Sequence, residues 1–149
     1  MAKERPTDVR GSFAICSIVD ISIERAEQHR LQNLARFDPM TGLLNRAAIV
    51  EELQQLCVAA QAGGDPGAVF FCDLDQFKGV NDRHGHAVGD RVLQDIAARL
   101  LLTVPGYAVG RFGGDEFLVV AGGTVRSQAE STAERLRRVL DEPEPERWQ

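Results

Sequence analysis

Long apolar runs and paired cysteines are both missing from this 149-residue sequence. No apolar run approaches the length of a membrane-spanning helix, so we expect no membrane contact from this chain. The three cysteines, Cys16, Cys57 and Cys72, are widely spaced and contain no C-x-x-C pair, which predicts small core residues in a reducing compartment. The polar residues 1–8 do not resemble a signal peptide.

Positive charge is also scarce. The chain has 17 lysines and arginines against 22 acidic residues, which gives a net charge of −5 and a pI of about 5.2. No nucleic-acid polymer is therefore expected as a partner. If such an acidic protein binds phosphate groups, it must use a local device, such as a metal ion or a loop of backbone N–H groups.

The apolar pattern predicts an α+β fold with a mostly antiparallel sheet and flanking helices. Residues 68–72 form a continuous apolar run after a loop, which indicates a buried strand. Residues 107–112 and 117–121 indicate two short strands joined as a hairpin. Residues 13–23 are rich in Ile, Val and Phe and predict a further strand, which runs into a helix over residues 24–36.

Three more helices are predicted in the rest of the chain. Asn45 is suited to cap the first of them, and Ser127 and Glu130 have capping-box spacing at the start of the last. Residues 78–89 are rich in turn formers and predict no regular element. The apolar faces of the first two helices are Ile49, Leu53, Leu56 and Ala60, and Val88, Val92, Ile96 and Leu100.

Two acidic clusters fall at matching places in this pattern. Asp73 and Asp75 follow the predicted buried strand, and Asp115 and Glu116 lie in the hairpin turn. If the hairpin lies beside that strand, the carboxylates converge at one edge of the sheet and need a cation, for which Mg²⁺ shared with phosphates is suited. Taken singly, an aspartate at a strand end is usually a solvated cap, and a Gly-Gly-Asp turn is usually only a turn. Together the clusters favour a metal–triphosphate site.

Four motifs in register resemble those of the GGDEF domain family. The family signature is Gly113-Gly114-Asp115-Glu116-Phe117, preceded by Arg111-Phe112. Residues 38–46 resemble the opening motif of the family, and residues 73–78 with Asn81-Asp82 resemble its strand-end motif. His84-Gly85-His86 and Gly89-Asp90 follow in the order and spacing of the family. The resemblance covers residues 38–121 and implies a palm-like or ferredoxin-like nucleotidyl cyclase fold.

The resemblance implies a specific reaction. Diguanylate cyclases join two GTP molecules into cyclic di-GMP and release two pyrophosphates, with one GTP held by each of two domains that face each other. A homodimer is therefore expected. By similarity to the family, Asp73, Asp115 and the Leu74 carbonyl would hold Mg²⁺, or Mn²⁺ in its place. Glu116 would lie against the same metals and assist removal of the proton from the 3′-hydroxyl.

The same resemblance implies how the nucleotide is held. Phe77 and Lys78 would lie over the phosphates, with Lys78 neutralising charge. Asn81 and Asp90 would bond the guanine edge, and an aspartate that accepts from guanine N1–H and the N2 amino group favours GTP over ATP. The turn glycines, Gly113 and Gly114, would allow the close approach of the ligand to the backbone.

Two departures from the family pattern stand out. Many cyclases carry an inhibitory Arg-x-x-Asp product site, but the corresponding residues here are Val104, Pro105, Gly106 and Tyr107, so we predict no product inhibition through that site. Family members also continue beyond the last predicted helix with another core strand and a final helix, whereas residues 141–149 show no strand pattern. That missing strand would leave the strand at residues 68–72 as an edge, which is an aggregation risk.

The N-terminal piece resembles the end of a PAS sensor domain, a junction that commonly feeds a GGDEF domain; the alternative is an ordinary amphipathic helix. We therefore divide the chain into a PAS-like remnant at residues 1–23, a signalling helix at 24–37 and a C-terminally truncated GGDEF domain at 38–149. An upstream sensor domain and a cytoplasmic bacterial signalling protein are implied by the same resemblance.

The sequence allows more than one role for three residues and more than one function for the chain. His84 and His86 look like a metal pair but are better suited to shaping a glycine-containing turn, and Arg111 is as well suited to phosphate as to a nearby acid. The alternative to an active cyclase is a truncated, inactive module that binds GTP or only dimerises. A polymerase-palm relative is a third hypothesis, which the guanine contacts and the full signature disfavour.

Overall fold

The computed structural model describes Leu31 and residues 35–141. Most of the predicted N-terminal strand and helix therefore lies outside the described residues, as does the end of the tail. The described elements, in chain order, are α1 (Arg46–Gln61), β1 (Ala68–Asp73), α2 (Phe77–His84), α3 (His86–Thr103), β2 (Ala108–Arg111), β3 (Glu116–Ala121) and α4 (Arg126–Asp141). The α+β class is confirmed.

The three strands form one antiparallel sheet in the order β1-β3-β2. The hairpin returns β3 between β2 and β1, so β3 has hydrogen-bonded neighbours on both sides. Its residues Phe117 and Val119 are fully buried. The predicted hairpin is confirmed, and its second strand is the centre of the sheet.

Helices cover both faces of this sheet. On one face, α3 and α4 pack Leu93, Ile96, Leu100 and Leu136 against Phe117 and Val119. On the other face, α1 packs Ile49 against Leu118 and Val120. Among the described helices, we find none that is both long and apolar enough to cross a membrane.

The predicted cap of α1 is confirmed, because the Asn45 side chain accepts a hydrogen bond from the Ala48 amide at 3.0 Å. Ile49 is fully buried against β2, where the absence of a side chain at Gly110 makes room for it. A Cβ at Gly110 would lie 2.5 Å from the Ile49 Cβ. The prediction that Ala60 shares the buried face is wrong, since the last turns of α1 run past the sheet and Ala60 is exposed.

The prediction of turns without a regular element over residues 78–89 is wrong. Two helices, α2 and α3, occupy it and are separated only by Gly85, whose φ of 84° breaks the helical path. Helix α2 is eight residues long and has only two apolar residues, Phe77 and Val80, which is too short a pattern to predict a helix. It is held by packing against α3.

The start of α4 differs from the predicted capping box. The helix begins at Arg126, so Ser127 lies inside its first turn. The side chain that reaches back is Gln128, which accepts from the Val125 amide at 3.2 Å, while Glu130 pairs with Arg126 at 3.0 Å. Gln128 therefore has the role that was predicted for Glu130. The capping contact lies two residues closer to the N-terminus than predicted.

Strand β1 is correctly predicted, but the description of it as a buried strand is wrong for one face. Phe70 and Cys72 face α3 and α4, whereas Val69 and Phe71 on the other face are 44% and 56% exposed. The reason is that α1 covers β2 and β3 and stops short of β1. A continuous apolar run therefore shows that both faces of a strand can be buried, but it does not show that other elements cover both of them.

Candidate active site

The pairing of β1 with β3 brings the two acidic clusters together. Asp73, the last residue of β1, lies opposite Glu116, the first residue of β3. The ladder extends one step further, because the Leu74 amide donates to the Asp115 carbonyl at 3.3 Å. The convergence expected from the sequence is therefore present in the backbone: Asp73, Leu74, Asp115 and Glu116 meet at one end of the sheet.

The hairpin turn between β2 and β3 is tight. The amides of Phe112 and Gly113 both donate to the Glu116 carbonyl, at 2.8 and 3.3 Å. A Cβ at Gly113 would lie 2.3 Å from Glu116 Oε2, so the missing side chain leaves room for the glutamate carboxylate. A Cβ at Gly114 would meet no described non-neighbouring atom within 4 Å, which leaves that face of the turn open to a ligand.

Arg111 holds this turn from inside. Its Nε and Nη2 donate to the carbonyl oxygens of Gly113 and Gly114, at 3.2 and 2.8 Å. Its Nη1 lies 3.3 Å from Asp38 Oδ1 and 3.3 Å from the Met40 sulfur. Of the two roles considered for Arg111, the structure therefore shows the acid partner, with the backbone of the turn as a second one.

Asp38 is the partner at the other end of this contact, and no individual role was predicted for it from the sequence. Burial alone would raise the pKa of its carboxyl, but the hydroxyl and amide of Thr41, both hydrogen-bonded to Oδ1, and the charge of Arg111 together hold that pKa below its usual range. Asp38 is therefore an anion at neutral pH. The only available signal was its place in the opening motif.

Phe112 fixes the outer side of the turn. Its ring makes an edge-to-face contact with Phe71 at a centroid distance of 5.6 Å. The Arg46 guanidinium lies 4.4 Å above the same ring, within the range of a cation–π contact. These contacts, together with those of Arg111, hold the start of the turn that carries the acidic residues.

The remaining predicted site residues lie on α2 and at the start of α3. Asn81 packs against Gly89: a Cβ at position 89 would lie 1.9 Å from Asn81 Oδ1 and 3.2 Å from Phe77 Cζ. Asp90 follows Gly89 and is exposed, as is Lys78 on α2. The structure thus brings Phe77 and Asn81 together against Gly89, the residue before Asp90. Lys78 lies on the same short helix.

Two other predictions concern potential metal ligands. His84 and His86 are exposed on either side of Gly85, at the end of α2 and the start of α3. Within residues 35–141, no three His, Cys, Asp or Glu side chains are close enough to form a metal site by themselves. Cys72 is buried as predicted, and burial raises the pKa of its thiol.

The donor set at the strand ends consists of oxygen atoms only. The carboxylates of Asp73 and Asp115 and the Leu74 carbonyl are hard ligands of the kind that Mg²⁺ prefers. Mg²⁺ also keeps several waters and is commonly bound by one or two carboxylates together with substrate phosphates. The residues present therefore fit a magnesium ion that arrives with a nucleotide better than one held by the protein alone.

Comparison with known families decides the ancestry. The sequence model described as "Diguanylate cyclase, GGDEF domain" matches residues 35–146. The chain belongs to the GGDEF family. The signature turn, its preceding arginine and the acidic strand end described above all fall inside the matched region of this GGDEF domain.

Curated relatives include proteins of different names. The GGDEF domain is 41% identical over 125 residues to the cyclic di-GMP phosphodiesterase PdeR of Escherichia coli K12, a match that covers 83% of this chain and 19% of the relative. It is 41% identical over 110 residues to the response regulator PleD of Caulobacter vibrioides, covering 73% of this chain and 24% of PleD. The chain thus spans about a fifth of the length of the curated relatives it matches.

Solved structures show the same fold. The coiled coil and GGDEF domain of DgcB from Caulobacter crescentus, in complex with c-di-GMP, is 31% identical with a TM-score of 0.70, over 77% of this chain and 62% of that one. A sensory box/GGDEF family protein of Caulobacter crescentus CB15 is 42% identical with a TM-score of 0.66, over 74% and 72% of the two chains. The predicted nucleotidyl cyclase-like fold is confirmed.

Proposed function

We propose that this GGDEF domain is a diguanylate cyclase, which condenses two GTP molecules into cyclic di-GMP and releases two pyrophosphates. The observation that carries the proposal is the register of β1 and β3, which sets Asp73 opposite Glu116 and Leu74 against Asp115. Family membership supports the reaction class. The signature turn keeps both glycines and both acidic residues, which favours an active enzyme over an inactive member of the family.

The metal site of the proposal uses Asp73, Asp115 and the Leu74 carbonyl. Bound Mg²⁺, with Mn²⁺ as a substitute, would neutralise charge on the triphosphate and polarise the phosphate that is attacked. Lys78 on α2 would bring a further positive charge to the phosphates. The open face at Gly114 would let the triphosphate approach the backbone of the turn.

The base would be recognised beside α2 and α3. Asn81, held against Gly89, and the exposed Asp90 are suited to the guanine edge, because guanine offers the N1–H and N2 amino donors that a carboxylate accepts. Adenine has no such donor pair, so GTP is the proposed substrate. Phe77, which contacts the same glycine, would lie over the phosphates.

The chemistry proposed for the chain is positioning and proton removal. The 3′-oxygen of one GTP forms a bond to the α-phosphorus of the other, and the bond from that phosphorus to the α–β bridging oxygen breaks as pyrophosphate leaves. In this proposal Glu116, whose carboxylate lies beside Gly113 in the turn, would accept the 3′-hydroxyl proton. Since one domain holds one GTP, the active form is a homodimer with facing sites.

A second candidate function is a non-catalytic module that binds GTP or only dimerises. It is favoured by the partly open face of β1, where Val69 and Phe71 are 44% and 56% exposed within residues 35–141. The name of PdeR, a phosphodiesterase, also indicates that similarity to this family does not by itself fix the direction of cyclic di-GMP metabolism. An upstream PAS-like sensor and a cytoplasmic location belong to the proposal and rest on the resemblance alone.

The experiment is incubation of the purified chain with GTP and Mg²⁺, followed by separation of the nucleotides. We expect cyclic di-GMP from the wild type, none from Asp115→Asn, and wild-type levels from Asp65→Asn, a matched change in the loop between α1 and β1. ATP in place of GTP should give no product. GTP binding without product from folded protein would contradict the cyclase and support the binding module.

A further inference from the structure

Gly85 joins the two helices that carry the residues proposed for base recognition. Its amide donates to the Asn81 carbonyl at 2.8 Å, and its carbonyl accepts from the Gly89 amide at 3.2 Å. Its φ of 84° turns the chain between α2 and α3. Asn81 and Gly89 lie four residues before and four residues after this junction, so the backbone of the turn brings them together.

Gly89 is buried near the start of α3, where a glycine weakens the helix. Its backbone is helical and its φ is not positive, so the conformation does not require glycine. The constraint is space: a Cβ at this position would lie 1.9 Å from Asn81 Oδ1 and 3.2 Å from Phe77 Cζ. The missing side chain therefore makes room for side chains of α2.

The position of the Asn81 amide depends on this contact. The residue is partly buried, and within residues 35–141 no hydrogen bond holds its side chain. Packing of Oδ1 against Gly89 is therefore what restricts its rotamer. A side-chain amide has an acceptor end and a donor end. Because Oδ1 faces Gly89, the Nδ2 donors are the end that is left for a ligand.

We propose that Gly89 is a positioning residue for guanine recognition, because the space it leaves for Asn81 Oδ1 selects the rotamer in which Asn81 Nδ2 donates to the base. The inference rests on the proposed function, in which Asn81 and Asp90 bond the guanine edge. A donor beside the Asp90 carboxylate matches guanine, which has the O6 acceptor next to its N1–H donor. Adenine has the opposite order, with a donor at N6 and an acceptor at N1.

A methyl group at position 89 should displace the amide without unfolding the domain. The atoms that it meets first are the ends of two side chains, Asn81 Oδ1 and Phe77 Cζ, which can move by rotation. Alanine is also the better helix former. We therefore expect Gly89→Ala to change the melting temperature by less than about 5 °C.

The first test reads the position of the amide in the full chain without nucleotide. In heteronuclear NMR spectra, the Asn81 side-chain amide peaks are assigned by their absence in Asn81→Ala. We expect Gly89→Ala to move these peaks further than Gly79→Ala does. Gly79 is the matched control, because it lies on α2 and a Cβ there meets no described non-neighbouring atom within 4 Å. Peaks that stay in place in Gly89→Ala would overturn the inference.

The second test is a double-mutant cycle on nucleotide binding, measured by calorimetry with Mg²⁺ and α,β-methylene-GTP, which cannot release pyrophosphate. We expect Gly89→Ala and Asn81→Ala each to weaken binding about tenfold, as the loss of one hydrogen bond would. The double variant should bind as Asn81→Ala alone does, because Gly89 acts through Asn81. Gly79→Ala should bind like the wild type.

The cycle distinguishes the ways in which the inference can fail. Additive losses would mean that a methyl group at position 89 obstructs the nucleotide directly, and would overturn the positioning role. If Asn81→Ala weakens binding and Gly89→Ala does not, the guanine contact stands and only this inference fails. If Asn81→Ala binds like the wild type, the proposed guanine contact and this inference are both wrong. The analogue is not turned over, so none of these outcomes depends on cyclase activity.

Discussion

Arg111 and Asp38, 73 residues apart in the sequence, form an ion pair that joins the opening turn of the domain to the signature hairpin. The same guanidinium donates to the carbonyl oxygens of Gly113 and Gly114. The pair is largely shielded from solvent, with 15% and 20% of the two side chains exposed. Arg111 is therefore a positioning residue for the turn that carries Asp115 and Glu116.

Replacing Arg111 by lysine tests this positioning role. An ammonium keeps the charge but cannot reach Asp38 and two carbonyls at once, because it lacks the planar fork of the guanidinium. We expect Arg111→Lys to lower the free energy of unfolding by about 1–2 kcal/mol and the rate of the proposed cyclase reaction by more than tenfold. Urea unfolding and the cyclic di-GMP assay measure the two effects. Arg126→Lys, at a solvent-exposed ion pair on α4, should change neither, and unimpaired turnover in Arg111→Lys would refute the positioning role.

The pH dependence of the free energy of unfolding should reveal the contribution of the ionised Asp38 carboxylate. Its folded pKa is lower than the ordinary value of 3.8, so its contribution is complete above that value and is lost as the pH falls from there through the folded pKa. Asp38→Asn should therefore destabilise the protein by about 1–2 kcal/mol at pH 7, and the difference from wild type should shrink below about pH 4. Denaturant titrations at several pH values test this. A difference that stays constant down to about pH 2.5, well below the ordinary carboxyl range, would contradict it.

A substitution at Gly114 should distinguish an effect on folding from an effect on ligand binding. Since a methyl group there meets no described non-neighbouring atom, Gly114→Ala should keep the melting temperature within about 2 °C of wild type. If the triphosphate approaches this turn as proposed, the same change should weaken GTP binding at least tenfold. Gly122→Ala, in ordinary contact with Leu56 at the other end of β3, is the control and should bind GTP normally. Calorimetric titration with GTP and Mg²⁺ compares the two variants, and equal affinities would argue against contact at Gly114.

Gln76 is the one described residue other than glycine with a positive φ, 62°, and it lies between the acidic strand end and α2. A left-handed conformation costs an ordinary residue roughly 1–2 kcal/mol, and a β-branched side chain tolerates it least. Gln76→Val should thus lower the free energy of unfolding by about 1–2 kcal/mol, whereas Gln76→Asn should be nearly neutral. Chemical denaturation of the two variants decides the matter. If valine is tolerated as well as asparagine, the backbone there is not strained.

The parts of the fold predicted correctly from sequence are those with local causes. The Asn45 cap and the hairpin at Gly113 depend on residues a few positions apart, and both are present as expected. Helix α2 was missed because its eight residues include only two apolar ones, Phe77 and Val80, too few to show a helical period. The exposure of Phe71 could not be predicted, since it depends on how far α1 extends across the sheet.

In the candidate site, too, the features that could be predicted have local causes, and those that could not depend on distant contacts. The meeting of Asp73 with Glu116 was predictable from strand ends once the hairpin was placed beside β1. The fit between Asn81 and Gly89 is a contact between two helices, and one of those helices was not predicted. The link between Asp38 and Arg111 requires knowing that the opening turn lies along β2, where Leu44 pairs with Gly110. Sequence separation hides such a contact.

The central position of β3 has a consequence for the motions available to the signature turn. Amides of a fully buried strand with neighbours on both sides exchange with solvent only when the whole domain unfolds, whereas surface segments open locally. We therefore expect the amides of Phe117 and Val119, which follow the acidic residues, to belong to that slowest class. The turn is attached to the part of the domain that we expect to open last, so regulation of this site is expected to act on the position of the whole domain.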